Sequence, residues 1–242
     1  MWTDVGELRQ FYASRLGRVA RLAVRRRIRD TWPEMRGERL LGLGYAVPYL
    51  GAFRDEAERA VALMPAAYGV LRWPARGGSL AALADETDLP FPDRMFDRIL
   101  IVHALEVTEH WRQMMREVWR VLADSGRILV VVPHRRGLWG QLDRTPFGRG
   151  QAYTPAQLAR LLRETFFTPL RTEPALYMPP FSSRMALALA PAFERTAERW
   201  LGGTGGLFMI EASKTLYAGA AVAAREQARR PRFGMVPQAN RG

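Results

Sequence analysis

The sequence predicts an α/β fold, a mostly parallel sheet with helices on both faces, and two observations carry that prediction. Phe96 to Val102 (FDRILIV) and Arg127 to Pro133 (RILVVVP) are short, nearly continuous β-branched and apolar runs, the pattern of strands covered on both faces. Between them, from Trp111 to Leu122, the period changes. Met114, Met115, Val118, Trp119 and Leu122 share one face while Arg112, Arg116 and Arg120 fall opposite, which marks an amphipathic helix. Asp124-Ser125-Gly126 then reads as the helix stop, with a glycine suited to the C-terminal cap. Two strands joined by a helix form a right-handed βαβ unit.

The other elements follow in chain order. Residues 5–31 read as one helix, with Leu8, Phe11, Tyr12, Leu16, Val19, Leu22 and Ala23 at helical spacing, an Arg-rich outer face, and Trp32-Pro33 as its end. Arg39 to Gly44 is the first strand and enters a glycine-bearing turn; a helix from Pro48 to Ala60 and a second strand from Val61 to Pro65 follow. AAYGVLRWPARGG stands where a regular helix normally would, and Ser79 to Ala84 is the third strand. After the fifth strand, GLWGQLDRTPFGRGQAYT is a glycine-rich loop carrying Trp139, Phe147 and Tyr153. Thr154-Pro155 opens a helix to about Thr165 through N-cap and first-turn proline chemistry. Arg171 to Tyr177, a helix from Arg184 to Leu201, and Gly206 to Tyr217 complete a seven-stranded sheet. The expected division is residues 1–36 as a basic amphipathic helix, 37–224 as the α/β domain and 225–242 as a flexible basic tail.

Composition narrows the functional classes. The 242 residues include no cysteine, so disulfides, thiolate metal ligands and cysteine nucleophiles are excluded. The three His and their neighbouring acids lack metal-ligand spacing such as H-E-x-x-H, so no metal is expected. No stretch approaches the roughly 20 apolar residues that span a bilayer, and the start lacks the order of a signal peptide. The expectation is a cytoplasmic protein with no membrane span. Net charge is +12: residues 1–36 hold nine Arg against four acids, and residues 225–242 five Arg against one Glu. Because arginine is abundant throughout, this balance reads as two basic ends on an ordinary domain, not as a nucleic-acid site.

L-P-F-P-D (Leu89 to Asp93), Phe96-Asp97, the A-L-E of Ala104 to Glu106, and R-E-V-W-R-V-L-A-D-S-G (Arg116 to Gly126) resemble the second half of a class I S-adenosylmethionine (SAM) dependent methyltransferase of the type 11 subgroup. The resemblance covers Arg39 to Pro133 and continues more weakly to about residue 217. It implies a Rossmann-like class I methyltransferase fold, with SAM at the carboxyl ends of the strands near the topological switch point. In that family an N-terminal helix often lies across the cofactor mouth, which makes Phe11 and Tyr12 lid residues. Trp139 and Tyr153, in the loop after the fifth strand, would then face the acceptor.

Against the family's D-x-G-x-G-x-G turn, Gly44 keeps the first glycine, but Gly42 stands where the acid belongs, with Ala46 and Pro48 on the later glycines. The family's second acid, which accepts from the ribose hydroxyls, falls on Met64, between Leu63 and Pro65. The third signal is present: Asp85, followed by Glu86, stands where relatives place the acid that receives the adenine amino group. SAM would then be held by backbone near Gly44 and the Tyr45 ring, or has been lost. His103, which follows the fourth strand and could lie beside the methyl group, and Glu106, in the place of the family's Leu-Glu-His glutamate, are the catalytic candidates, with His110 nearby. The resemblance implies methyl transfer from SAM to an unidentified small-molecule or protein acceptor. The alternative is a catalytically silent methyltransferase fold that binds or regulates a protein partner.

Overall fold

The computed structural model describes residues 4–142, 145–181, 183–200 and 205–216; the tail expected at 225–242 lies outside them. Seven strands form one sheet in the order β3-β2-β1-β4-β5-β7-β6. β1 (Arg39–Gly44), β2 (Arg59–Pro65), β3 (Ala81–Ala84), β4 (Phe96–Val102) and β5 (Leu122–Pro133) are parallel. β7 (Leu207–Lys214) is antiparallel to both β5 and β6 (Phe167–Ala175). β1 and β4 are neighbours although β2 and β3 intervene in sequence, and their register sets Gly44 opposite Val102. The turns that leave these two strands therefore stand side by side, at the crevice where such sheets bind ligands.

The two faces of the sheet are covered by different helices. On one face, α1 (Val5–Ala13), α2 (Arg15–Thr31) and the short α3 (Val47–Leu50) pack against Leu40, Leu100 and Leu129. On the other, α4 (Trp111–Val121) and α5 (Pro155–Glu164) cover Leu41, Ile99 and Ile128. The alternation Leu40/Leu41 and Ile99/Leu100 between faces explains why these strands carry no polar register. α6 (Arg184–Trp200) lies alongside α2, with Leu187 and Ala190 against Leu16 and Val19.

Several boundaries differ from the sequence expectation, each for a local reason. The single helix expected over 5–31 is two helices. Ser14 adopts an extended conformation; its amide donates to Gln10 and Phe11 carbonyls to close α1, and its Oγ accepts from Gly17 N at 3.0 Å to open α2. A Cβ on Gly17 would lie 1.9 Å from the Phe11 carbonyl oxygen, so only glycine lets the second helix turn back on the first. The expected helix Pro48–Ala60 shrinks to Val47–Leu50 and a run of turns after Gly51, and β2 starts two residues early. Asp124–Gly126 is not a helical cap. Leu122 is already extended, β5 begins there, and Phe96↔Leu122 followed by Arg98↔Arg127 leaves 123–126 as a bulge. A Cβ on Gly126 would meet Leu122 Cγ at 2.7 Å and the Ala123 carbonyl oxygen at 2.9 Å, so the bulge favours glycine there. β6 begins four residues before the expected Arg171 and ends at Ala175; of the expected last strand, Tyr217 lies outside the described residues. α5 opens at the expected Thr154 N-cap, and Gln157 completes it as a full capping box: Thr154 Oγ1 accepts from Gln157 N and Gln157 Oε1 from Thr154 N.

The motifs that carry the resemblance are one clamp. Arg120 of α4 donates to the carbonyls of Leu89 and Phe91 and to Asp93, braced by Glu117, whose own carboxylate accepts Leu89 N at 2.9 Å. L-P-F-P-D and R-E-V-W-R are thus two halves of a device that fixes the loop before β4.

Candidate functional site

At the carboxyl ends of β1 and β4 the chain assembles a buried polar chain inside an aromatic shell. His103, the residue after β4, has φ +52, in the left-handed region that an L residue occupies only when its surroundings hold it there. Tyr68, from the 3-10 turn after β2, supplies that restraint by donating to the His103 carbonyl at 2.8 Å. The His103 ring is buried; Nδ1 lies 3.1 Å from Glu106 Oε1 and Nε2 lies 2.8 Å from Tyr12 Oη. Tyr12 Oη is in turn 2.9 Å from Tyr49 Oη. A carboxylate only accepts, so an ionised Glu106 fixes a proton on Nδ1; with the imidazole neutral, Nε2 accepts from Tyr12, whose oxygen then accepts from Tyr49. Burial, aided by its neighbour Tyr49, holds the Tyr12 phenol well above its ordinary range, and burial does the same for Tyr49, so both hydroxyls remain protonated. Glu106 Oε2 is buried and has no hydrogen-bond partner.

The shell is continuous. Tyr45 stacks on Tyr12 with ring centroids 5.7 Å apart, and Phe147 lies 4.8 Å from the His103 ring. Phe11 touches Tyr12 and Phe147 edge-on. The N-terminal helix therefore does lie across the strand ends, and it inserts Tyr12 between Tyr45 and Tyr49 instead of standing clear as a lid over a cleft.

The expected cofactor residues are placed as follows. Gly44 has φ +83, and a Cβ there would lie 2.3 Å from Val102 O, so glycine is required by the approach of β4. The amide of Tyr45 donates to that same Val102 carbonyl at 2.8 Å, extending the β1–β4 pairing by one residue. A Cβ on Gly42 would meet Leu50 Cδ1 at 2.7 Å and the Ala46 methyl at 2.8 Å, leaving no room for a carboxylate. Met64 is fully buried, and its sulfur accepts from Leu71 N at 3.4 Å. Asp85 is exposed and accepts from the amide and hydroxyl of Thr87, bonds that pull its carboxyl below the usual range. Glu86 accepts from Thr108 Oγ1 at 3.0 Å. Between Pro65, Tyr68, Glu86, Ala104 and Met114 the free volume is about 10 Å³. That holds at most a single water.

Trp139 and Tyr153 do not reach this cluster with polar atoms. Trp139 is buried and its indole donates to Met178 O at 2.6 Å. Tyr153 donates to Leu105 O at 3.3 Å, and burial pushes its phenol up to about 12. An open groove of about 380 Å³ lies outside the cluster, between α1 (Glu7, Gln10, Phe11) and Thr145, Pro146 and Arg149, with Arg149 paired to Glu7 across it. The sequence reading passed over Tyr49 and Tyr68; the four-tyrosine spacing 45, 49, 68 with Tyr12 was its available signal.

Residues 41–130 match the methyltransferase domain family. A demethylmenaquinone methyltransferase of Thermus thermophilus is 31% identical over 116 residues, 47% of this chain and 46% of its own length. The chain spans about half the length of the curated relatives it matches. Among solved structures, a SAM-dependent methyltransferase from Thermotoga maritima superposes with TM-score 0.61 at 15% identity, covering 87% of this chain and 96% of that one. The [4+2]-cyclase SpnF superposes with TM-score 0.55 at 25% identity, covering 79% and 80%. Strand order and superposition together show a Rossmann-like fold of the class I methyltransferase type, and residues 41–130 are similar to the methyltransferase domain family.

Proposed function

We propose that this chain is a methyltransferase-fold protein whose cofactor cleft has been rebuilt into an aromatic plug, and that it works by binding a partner. The observation that carries this reading is the 10 Å³ left beside Tyr68, where a ligand of nucleoside size needs roughly 300 Å³ or more. The residues do not fit SAM: both acids are replaced by groups that pack, and the turn amide is already bonded to β4. Fold alone does not dictate methyl transfer, as the [4+2]-cyclase among the fold's members illustrates by its name. The test is calorimetry with SAM and S-adenosylhomocysteine on the intact protein and on Tyr12→Ala. The expected result is no binding to either at millimolar ligand. Micromolar binding to the unmodified protein sinks the reading.

A second reading, methyl transfer to an unidentified acceptor, is favoured by one specific feature, the buried His103–Glu106 pair. Glu106 orients the imidazole, its free Oε2 is available to a ligand donor, and a hinge at Ser14 would let α1 withdraw Tyr12. His103 would then take a proton from the acceptor. Binding to Tyr12→Ala alone would favour this reading.

A further inference from the structure

The exposed face of α6 is apolar in a way the core does not explain. Met185, Leu189 and Phe193 recur every fourth residue and are 76%, 61% and 42% exposed; Trp200, seven further on, is 81% exposed, and Phe181, just before the helix, 59%. The exposed residues described on α6 are otherwise small or proline, save Thr196 and two arginines, Arg195 and Arg199. Both of the helix's acids are used inward. Glu194 accepts the amides of Tyr177 and Met178 at 3.1 and 2.8 Å, and Glu198 pairs with Arg27 at 2.7 Å.

The neighbouring helix continues the surface. α2 runs beside α6 in the same direction, since Leu16 and Val19 meet Leu187 near one end and Arg27 meets Glu198 near the other. Its outer row is Arg15, Arg18, Leu22 and Arg25, and among the described residues these three arginines have no acidic partner. Leu22 is 56% exposed. A groove of about 540 Å³ separates the helices, with Arg15 and Arg18 on its rim and Val19, Leu22, Leu187 and Ala188 along it.

We propose that this α2–α6 face docks on an anionic phospholipid surface. Leucine, phenylalanine and tryptophan in one stripe, bordered by arginines and free of acids, is the composition of a helix that lies in a bilayer interface. The arginines match lipid phosphates, and the stripe enters the acyl boundary. A second copy of this chain fits less well, because two-fold pairing sets the same face against itself and brings arginine rows together. This inference is independent of how the strand-end cleft is read.

The experiment is flotation of the full chain with vesicles of phosphatidylcholine alone and with phosphatidylglycerol added at about one part in three. Three variants are compared: Leu189→Asp with Phe193→Asp, Arg15→Gln with Arg18→Gln, and Leu170→Asp on β6, a control on another exposed surface. All sites are exposed or at a groove rim, and circular dichroism checks that each variant is folded. The expected result is capture by the anionic vesicles only, weakened by salt. The apolar pair should lower partitioning on the order of tenfold or more, and each arginine by about fivefold. The Leu170 variant should bind like the parent. Equal capture by neutral vesicles, no capture by either, or a dimer in light scattering that Leu189→Asp with Phe193→Asp abolishes would each overturn the proposal.

Discussion

Replacing Tyr12 by phenylalanine removes one oxygen atom and tests whether α1 is seated in the strand ends. In the structure that oxygen lies 2.8 Å from His103 Nε2 and 2.9 Å from Tyr49 Oη, and all three groups are buried. Its loss strands an imidazole acceptor and a phenolic donor away from water. Each unpaired buried group costs about 1–3 kcal/mol, so Tyr12→Phe should destabilise the protein by about 2–6 kcal/mol. Tyr49→Phe should cost less, about 1 kcal/mol, because Tyr12 keeps its bond to His103. The double variant removes one of the two stranded groups, so its cost should fall short of the sum by about 1 kcal/mol. Urea unfolding reads these differences globally, because Val5, Leu8 and Tyr12 belong to the same apolar cluster as Leu40 and Leu100 of the sheet. A cost for Tyr12→Phe below about 0.5 kcal/mol, with additive partners, would refute the plug: α1 would then not be docked where the geometry puts it.

Two further outcomes test the frame around the site. Arg120→Ala should cost about 2–3 kcal/mol in urea unfolding, because it frees the Leu89 and Phe91 carbonyls and leaves Glu117 without its partner; a change within about 0.5 kcal/mol would remove the clamp from the account. Asp97 receives both Arg39 Nε and Nη2 and the Arg39 amide, and that bonding pulls its carboxyl below the usual range. Its contribution is therefore present above the unfolded carboxylate pKa near 4 and lost as pH falls through the lower folded value. Asp97→Asn should flatten that acid limb of a stability-versus-pH curve, and an unchanged limb would count against the pairing.

How much of this was legible in the sequence depended on whether the information was local. β4 and the start of α4 could be read residue for residue, because an apolar run and a change of period are properties of neighbours. The N-cap at Thr154 with Pro155 in the first turn is equally local. The break at Ser14 was missed because hydrophobic spacing continues through it; what interrupts the helix is the contact of Gly17 with the Phe11 carbonyl. Gly126 reads as a cap because its neighbours have turn chemistry, while its actual constraint is the approach of Leu122 and the Ala123 carbonyl. The site was half legible: His103 and Glu106 lie three residues apart, but Tyr12 reaches His103 across 91 positions, and no spacing rule encodes that contact.

The departures from the cofactor motif are coupled, and that coupling makes a last prediction. Glycine at 42 lets Leu50 and Ala46 descend onto β1. That descent brings Tyr49, on the same short helix, to Tyr12, and the two hydroxyls complete the chain to His103. Met64 fills the end of β2 and accepts the Leu71 amide, which holds the segment that follows Tyr68. If the acid had simply drifted away, restoring it would restore affinity. If the cleft has been rebuilt, a carboxylate at 64 enters a fully buried position, where the present side chain's hydrogen bond is the one from the Leu71 amide. Burying such a charge without a cation costs several kcal/mol, so Met64→Asp should destabilise by about 3 kcal/mol or more and gain no SAM binding by calorimetry. A stable Met64→Asp variant that binds SAM would show that the cleft opens with one substitution, and the plug would then be a closed lid.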